Sequence, residues 1–515
     1  MSTTGPTAPR PGPQSSAPRP TPPPSSRPGQ TSTATPPSSA LAAFDRIDEN
    51  ILVFGTAGSG QRGRHRNPLA GLLQHGPYSA YPHGDQLRVA TIATTDQQQR
   101  LFNFLKQLHK PARATDRAKY VPNFPGFENV FRVRLAGVSD QQCNVTLAPD
   151  APRHGGTEPH ANVVAALIKA IHALRDQREK WDVIAILLPT TWTSLRKSAD
   201  GRFDLHDRIK AEVAPLGIPV QFLWENSALA SQQWNSTAWR LSLALFAKAG
   251  GVPWRITPTT TIPTAYVGLH YAIRGGTTND FVTCCSQVFD AQGGGLEFVA
   301  YNLGPADPND TGSRRGRKNP HLTREEMRAV MTRTADLYRL RHAGAMPQRF
   351  VIHKESHWRD NEIEGVFDAW GAADNIECVS LQQTRWRAVE LKGPGTTATG
   401  PEPATMAVRR GTIQQYDGHS GLLWTRGPGP VGITGKYFSP DGKSLPRPIA
   451  FTRYTGSGDL SLLAADILAL TKLDWNNDSP YNQLPVTLGY AQKLAEVVSN
   501  VPELDDNVYQ YRLFL

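Results

Sequence analysis

Cysteine is scarce: Cys143, Cys284, Cys285 and Cys378 are the only four in 515 residues, and their spacing matches no zinc motif. The adjacent pair is poorly placed to bridge itself. A disulfide framework and a thiolate metal centre are therefore set aside, and a reduced, cytoplasmic interior is expected. Long apolar runs are also missing. No stretch approaches the roughly 20 residues a bilayer crossing takes, and no charged-then-apolar leader opens the chain, so a soluble protein with no membrane association is expected. Acid is in the minority: 45 Asp and Glu stand against 55 Lys and Arg, a formal charge of +10. That balance favours a polyanionic partner without requiring one. Hydrophobic residues make up 39% of the chain, with 11 Trp and 18 Phe. Such content suffices for two or three folded domains.

Residues 1–44 are rich in Pro, Ser, Thr and Gly, and Arg10, Arg19 and Arg27 are their only charged side chains. A segment this poor in apolar surface cannot offset the entropy of ordering it, so a disordered tail is expected. Order begins near ILVFGTAGSGQRGRHRNPLAGLLQHGPYSAY. Gly55 to Gly60 has the G-x4-G spacing of a phosphate loop. Gln61 and Arg62 stand where that loop needs a lysine and a Ser or Thr, which argues against nucleotide hydrolysis.

From Gln86 onward, helical patterns alternate with short apolar runs. LRVATIAT, VFRVRLAGV and DVIAILLP read as apolar runs, and QQQRLFNFLKQLHK and ANVVAALIKAIHALRDQ as helices. Their alternation implies a parallel sheet covered by helices on both faces, with ligands expected beyond the carboxyl ends of the strands. There the chain presents HDRIK. His206 and Lys210, at i and i+4, share one helix face, so a ring and an ammonium can address one ligand. Gln221 follows in IPVQFLW, and Lys248 closes NSTAWRLSLALFAKAGG. Taken singly, each has a plainer reading: a partly buried histidine, a solvated lysine, a strand amide, a cation at a helix C-terminus.

The order HDRIK, then VQ, then AKAGGVPW resembles the guide-binding pocket of Argonaute proteins. Phe54-Gly55, Gly71-Leu72 and His75-Gly76-Pro77-Tyr78 are similar to the opening of short prokaryotic Argonautes. LALTKLDWNNDSPYNQLPVTLGYAQKLAEVV is similar to their closing stretch. The resemblance implies an α/β architecture: a Rossmann-like MID domain within 45–255, an RNase H-like PIWI domain within 256–515, and the tail at 1–44. In such a MID domain His206 stacks on the terminal base, where tyrosine is usual. Lys210, Gln221 and Lys248 hold the 5′-phosphate. A divalent cation (Mg2+) is shared by Gln221 and the terminal carboxylate at Leu515.

The resemblance also implies that cleavage has been lost. An active PIWI site holds two metal ions with a set of carboxylates. Here His270 stands at the first aspartate, Lys354 and Glu355 replace an Arg-Asp pair, and Gln492 replaces the last Asp or His. Asp280 and Asp290 are nearby acids whose neighbours do not match. Arg314, Arg315, Arg317 and Lys318, like Arg62, Arg64 and Arg66, are candidate phosphate contacts.

By the same resemblance the chain is expected to be a guided sensor in antiviral defence, without N-terminal and PAZ regions. It takes a small 5′-phosphorylated guide, RNA being expected, and a complementary single-stranded DNA target. Its partner is an APAZ-containing effector, either a TIR or sirtuin-like NADase or a nuclease, and activation ends in NAD depletion and abortive infection. Two rivals stay open: a guide-dependent endonuclease whose carboxylates lie elsewhere, and an RNase H-like scaffold that binds protein partners and no nucleic acid.

Overall fold

Six consecutive apolar residues, Val183–Leu188, form a strand in which every side chain is buried. Because side chains alternate across a strand, a run buried throughout needs cover on both faces. Ile184, Ile186 and Leu188 enter one apolar cluster with Leu167, Ile171 and Leu174 of the helix Pro159–Arg175. Val183, Ala185 and Leu187 enter another with Trp239, Leu243 and Phe246 of the helix Trp234–Lys248. Each such side chain contributes roughly 1.5–3 kcal/mol on full burial, alanine less. This is a computed structural model, and it describes residues 43–56, 60–115, 121–154, 158–199, 201, 203–273, 282–302, 321–390, 406–431, 445–501 and 508–514. Phe44–Leu515 is one compact unit.

The first sheet is parallel in every pairing. Gln86–Thr94 pairs with Arg134–Gly137 along its first half and with Asn144–Leu147 along its second. On its other side come Val183–Leu188 and then Val220–Trp224. The run VFRVRLAGV divides between two elements: Val130 and Phe131 end a short helix, and the strand is confined to Arg134–Gly137. Arg132 between them is left-handed, with φ 58°, which turns the chain sharply.

Among the described residues the second sheet has ten strands. Its centre is Thr264–Ile273, parallel to Arg349–Lys354, itself parallel to Asn375–Gln383. Val282–Phe289 and Gly295–Asn302 add antiparallel strands on the Thr264–Ile273 side. Val282–Phe289 of FVTCCSQVFD thus pairs with Tyr266–Ile273 of AYVGLHYAIR, as the sequence position suggests. Beyond Asn375–Gln383 lie Ile449–Arg453, Ser420–Leu423, Thr412–Gln415 and Asp45–Arg46. The helix Val486–Asn500 crosses this sheet at Gly268, where a Cβ would stand 2.1 Å from the carbonyl oxygen of Thr487. Only glycine allows that approach.

The opening segment is a hairpin, and this decides the fate of the G-x4-G spacing. Leu52–Thr56 pairs antiparallel with Arg62–His65 and with Arg255–Ile256. A phosphate loop runs from a strand into a helix, whereas here the next element is a strand. Glu49, just upstream, is buried against Arg410 at 2.8 Å and Lys472 at 3.0 Å. Among the described residues no helix is long and apolar enough to cross a membrane.

Candidate functional site

The helix Leu205–Val213 begins at Asp204, whose carboxylate accepts from the backbone N–H groups of His206 at 2.9 Å and Asp207 at 3.3 Å. Such a cap satisfies donors that a helix start leaves unpaired. Lys197 pairs with the other oxygen of Asp204 at 2.8 Å. Leu205, Ile209 and Val213 pack into the apolar cluster of the first sheet. The opposite face meets the helix Val486–Asn500, and Asp207 accepts there from Asn500 at 2.6 Å.

His206 is half-buried, its ring edge-on to Phe222 with centroids 5.3 Å apart. Its Nδ1 is 2.9 Å from Asp207 Oδ1. Gln221 accepts from Lys248 Nζ at 2.5 Å and donates to the Phe222 carbonyl at 3.0 Å. His206, Gln221 and Lys248 border one cavity of about 360 Å³, together with Arg196, Lys197, Lys493 and Phe514. Lys210 lies behind this wall. It is 1% exposed and donates to the carbonyl of Leu513 at 2.5 Å.

Burial pushes the Lys210 ammonium down to about 7, with Lys493 adding repulsion. Burial also holds Lys248 well below the ordinary lysine value, and the charge of Lys210 adds to it. His206 is lowered as well, first by burial. For Asp207, burial acts upward but is outweighed by hydrogen bonds from His206 and Asn500, so the carboxyl is held down. Cations gathered against a desolvated wall favour an incoming counter-charge, and a phosphate supplies one.

Asp204, His206 and Asp207 each bring one ligand atom within 4.8 Å of the others. Lys197 and Asn500 already hold the two carboxylates, so the group works as a hydrogen-bonded cap. Leu515 lies outside the described residues, as do Asp280, Arg314, Arg315, Arg317 and Lys318. Arg62 packs its guanidinium over the Tyr78 ring at 4.1 Å and donates to the Phe54 and Tyr78 carbonyls.

In the second sheet, His270 Nδ1 is 3.5 Å from Glu355 Oε2, so these two candidate positions do meet. Lys354 instead turns inward to Glu362 at 2.6 Å, both fully buried. Gln492 lies on the helix Val486–Asn500, one position before Lys493. Asp290 is consumed locally, accepting from the N–H groups of Gln292 and Gly294 and pairing with Arg255.

Sequence reasoning passed over Lys493, Asp207 and Asn500. Lys493 stands next to Gln492 in the stretch YAQKLA, so a signal for it was present. Asp207 and Asn500 are 293 positions apart, and nothing in their spacing joins them.

No protein-family model matches the chain, and no curated protein matches it in sequence. Solved structures do. Clostridium butyricum Argonaute, bound to a guide DNA and a 19-mer target DNA, aligns with a TM-score of 0.61 at 13% identity. That alignment covers 92% of this chain and 55% of the other. The fold is Argonaute-like. A. aeolicus Argonaute aligns with a TM-score of 0.54 at 15% identity, over 92% of this chain and 56% of that one. Aa-Ago with externally bound siRNA gives 0.55 at 13%, over the same shares. This Argonaute-like chain thus spans little more than half the length of the structures it matches.

Proposed function

We propose that the chain is a nucleic-acid-guided sensor that seats the 5′-phosphorylated end of a small strand, RNA for preference, in the cavity beside His206. The observation that carries this reading is the convergence of Lys248, Gln221, His206 and Lys493 on one cavity, with buried Lys210 behind them. A terminal phosphate is compact and doubly charged, and a wall of desolvated ammonium groups discriminates it from a hydroxyl end. His206, half-exposed against Phe222, offers its ring face to the first base, with its Nε2 edge turned to the terminal phosphate. The bound strand then pairs with complementary single-stranded DNA.

The proposal retains a divalent cation at the phosphate. Gln221 supplies a neutral amide oxygen, a donor that hard cations take, and Leu515 follows the segment whose Leu513 carbonyl reaches Lys210. Those two residues would hold the ion, and it would screen phosphate charge. Lys248 must then leave Gln221 for the phosphate.

Cleavage falls outside the proposal, because the His270–Glu355 contact puts a cation-capable ring where a metal-binding carboxylate is needed. Output is assigned to a separate APAZ-containing effector, such as a TIR or sirtuin-like NADase, whose activation depletes NAD and arrests the infected cell. Support for that last step is the family resemblance alone.

The direct test is a binding comparison between 5′-phosphorylated and 5′-hydroxyl strands of one sequence. The expected result is a phosphate preference of tenfold or more, lost in Lys248→Ala; a hydrogen bond to a charged group is worth about 1.5–3 kcal/mol. Equal binding of both strands would reject the reading. Guide-matched DNA cutting by the isolated chain with manganese would instead favour an endonuclease.

A further inference from the structure

The role of Asp207 is not explained by any phosphate contact. It follows His206 on the helix and is 6% exposed, and both its oxygens are committed. Oδ1 lies 2.9 Å from His206 Nδ1. Oδ2 accepts at 2.6 Å from Asn500, the last residue of Val486–Asn500. A carboxylate at that distance requires the ring proton on Nδ1 and leaves Nε2 as the nitrogen open to a ligand. Phe222 limits the tilt of the ring from another side.

We propose that Asp207 is the positioning residue of this site: with Asn500 it fixes the orientation and tautomer of His206, so that Nε2 meets a phosphate-bearing strand end. The proposal rests on the 5′-phosphate reading above and deepens it. Because Asn500 belongs to the helix that also brings Lys493 to the cavity, seating a strand depends on how that helix packs against Leu205–Val213. The arrangement follows the general logic by which a second partner orients a functional imidazole.

Several charges face the ring and set its response to a ligand. Its own helix and cap supply Asp204, Asp207 and Lys210, and the preceding turn supplies Arg196 and Lys197. Lys248 comes from Trp234–Lys248, and Lys493 and Glu496 come from Val486–Asn500. Burial and the neighbouring lysines oppose a proton on His206 while Asp207 favours one. An entering phosphate dianion tips that balance. The ring then takes a proton from solvent at Nε2 and donates it in a hydrogen bond to a phosphate oxygen.

The test titrates labelled 5′-phosphorylated and 5′-hydroxyl strands against the full chain from pH 5.5 to 8.5, for wild type, Asp207→Asn and Asn500→Ala. An amide at 207 keeps the shape but no longer selects the Nδ1 proton. The expected result is about a tenfold smaller phosphate preference in Asp207→Asn, the size of one charge-assisted hydrogen bond. Its pH dependence through the imidazole range should be flattened, and its affinity for the hydroxyl strand should fall by clearly less than that for the phosphorylated one. Asn500→Ala should move the same way by less, and it stands as the test should Asp207→Asn fail to fold. Variants that keep the wild-type preference and pH profile would overturn the proposal, and so would equal losses for both strands. A wild-type chain without phosphate preference would remove the pocket reading first, and this inference with it.

Discussion

Lys210 carries a burial cost that the proposed pocket would set against recognition. Its ammonium is almost fully buried, and although the Leu513 carbonyl and Lys248 meet it there, burial costs it hydration. A buried cation in this condition is more easily explained by a ligand than by the fold. The sign of the linkage follows from its pKa. With a folded value of about 7, below the ordinary lysine value, the unfolded chain binds more protons between those limits. Stability therefore rises with pH across that window, and the penalty is complete below about 7. On the proposed reading, a bound phosphate restores the proton, so binding takes one up. Preference for a 5′-phosphorylated strand should weaken as pH rises from 7 to 9, measured by anisotropy with the hydroxyl strand as reference. A flat ratio would contradict it. Lys210→Met separates the two roles. It should abolish the phosphate preference while leaving unfolding free energy unchanged or raised by ~1–2 kcal/mol, since an apolar isostere removes a buried charge. Urea denaturation reads the second quantity.

Among the elements, the helix Val486–Asn500 matters most, since it joins the two halves of the chain. Thr487 at its start accepts or donates at 2.9 Å to the fully buried His353, and its backbone rests on Gly268. Lys493 and Asn500 further along reach the first half. Gly268→Ala should destabilise the chain by ~1–3 kcal/mol through overpacking. It should also reduce phosphate preference, because the helix must move off the sheet and carry Lys493 with it. Thermal melts and strand binding on one preparation check both effects, and a loss of stability with unchanged preference would show the helix ends to be uncoupled. This element also marks how far the sequence could be read. The periodicity of Pro159–Arg175 and the apolar run of Val183–Leu188 announced helix and strand, because burial on one face or both leaves a pattern. VFRVRLAGV misled, since a left-handed Arg132 divides it and no local pattern announces that turn. The strand Asn144–Leu147 passed unnoticed because it is short and half polar. At the site, residue types and order singled out His206, Lys210, Gln221 and Lys248, of which Lys210 alone does not line the cavity. The Asp207–Asn500 contact and the inward turn of Lys210 to Leu513 depend on tertiary packing that spacing does not encode.

For the whole molecule, the decisive charge is Glu49, which ties the opening segment to the second sheet and its last helices. Its carboxylate meets Arg410 and Lys472 at 3% exposure, Lys472 also donates to the Asn50 carbonyl at 2.6 Å, and Arg410 stacks over Tyr481 at 4.3 Å. Burial alone would raise the carboxyl, but the two cations outweigh it and hold it down to about 2. A depressed carboxyl contributes fully above its unfolded value of about 4.5, and that contribution is lost as pH falls through the window from 4.5 towards 2. Glu49→Gln should cost ~3–5 kcal/mol at pH 7, because it leaves two buried cations without a counter-charge. The cost should shrink on alkaline titration for a definite reason. Burial already lowers Lys472 to about 8 with Glu49 present, and without that carboxylate the ammonium sheds its proton more readily. The Glu49–Arg410 pairing is lost at either pH, so recovery must stay partial. Urea denaturation of wild type and Glu49→Gln at pH 7 and pH 9 tests this, with a smaller gap expected at pH 9. A gap of equal size at both values would mean that Lys472 remains charged and that Arg410 is the partner Glu49 is needed for.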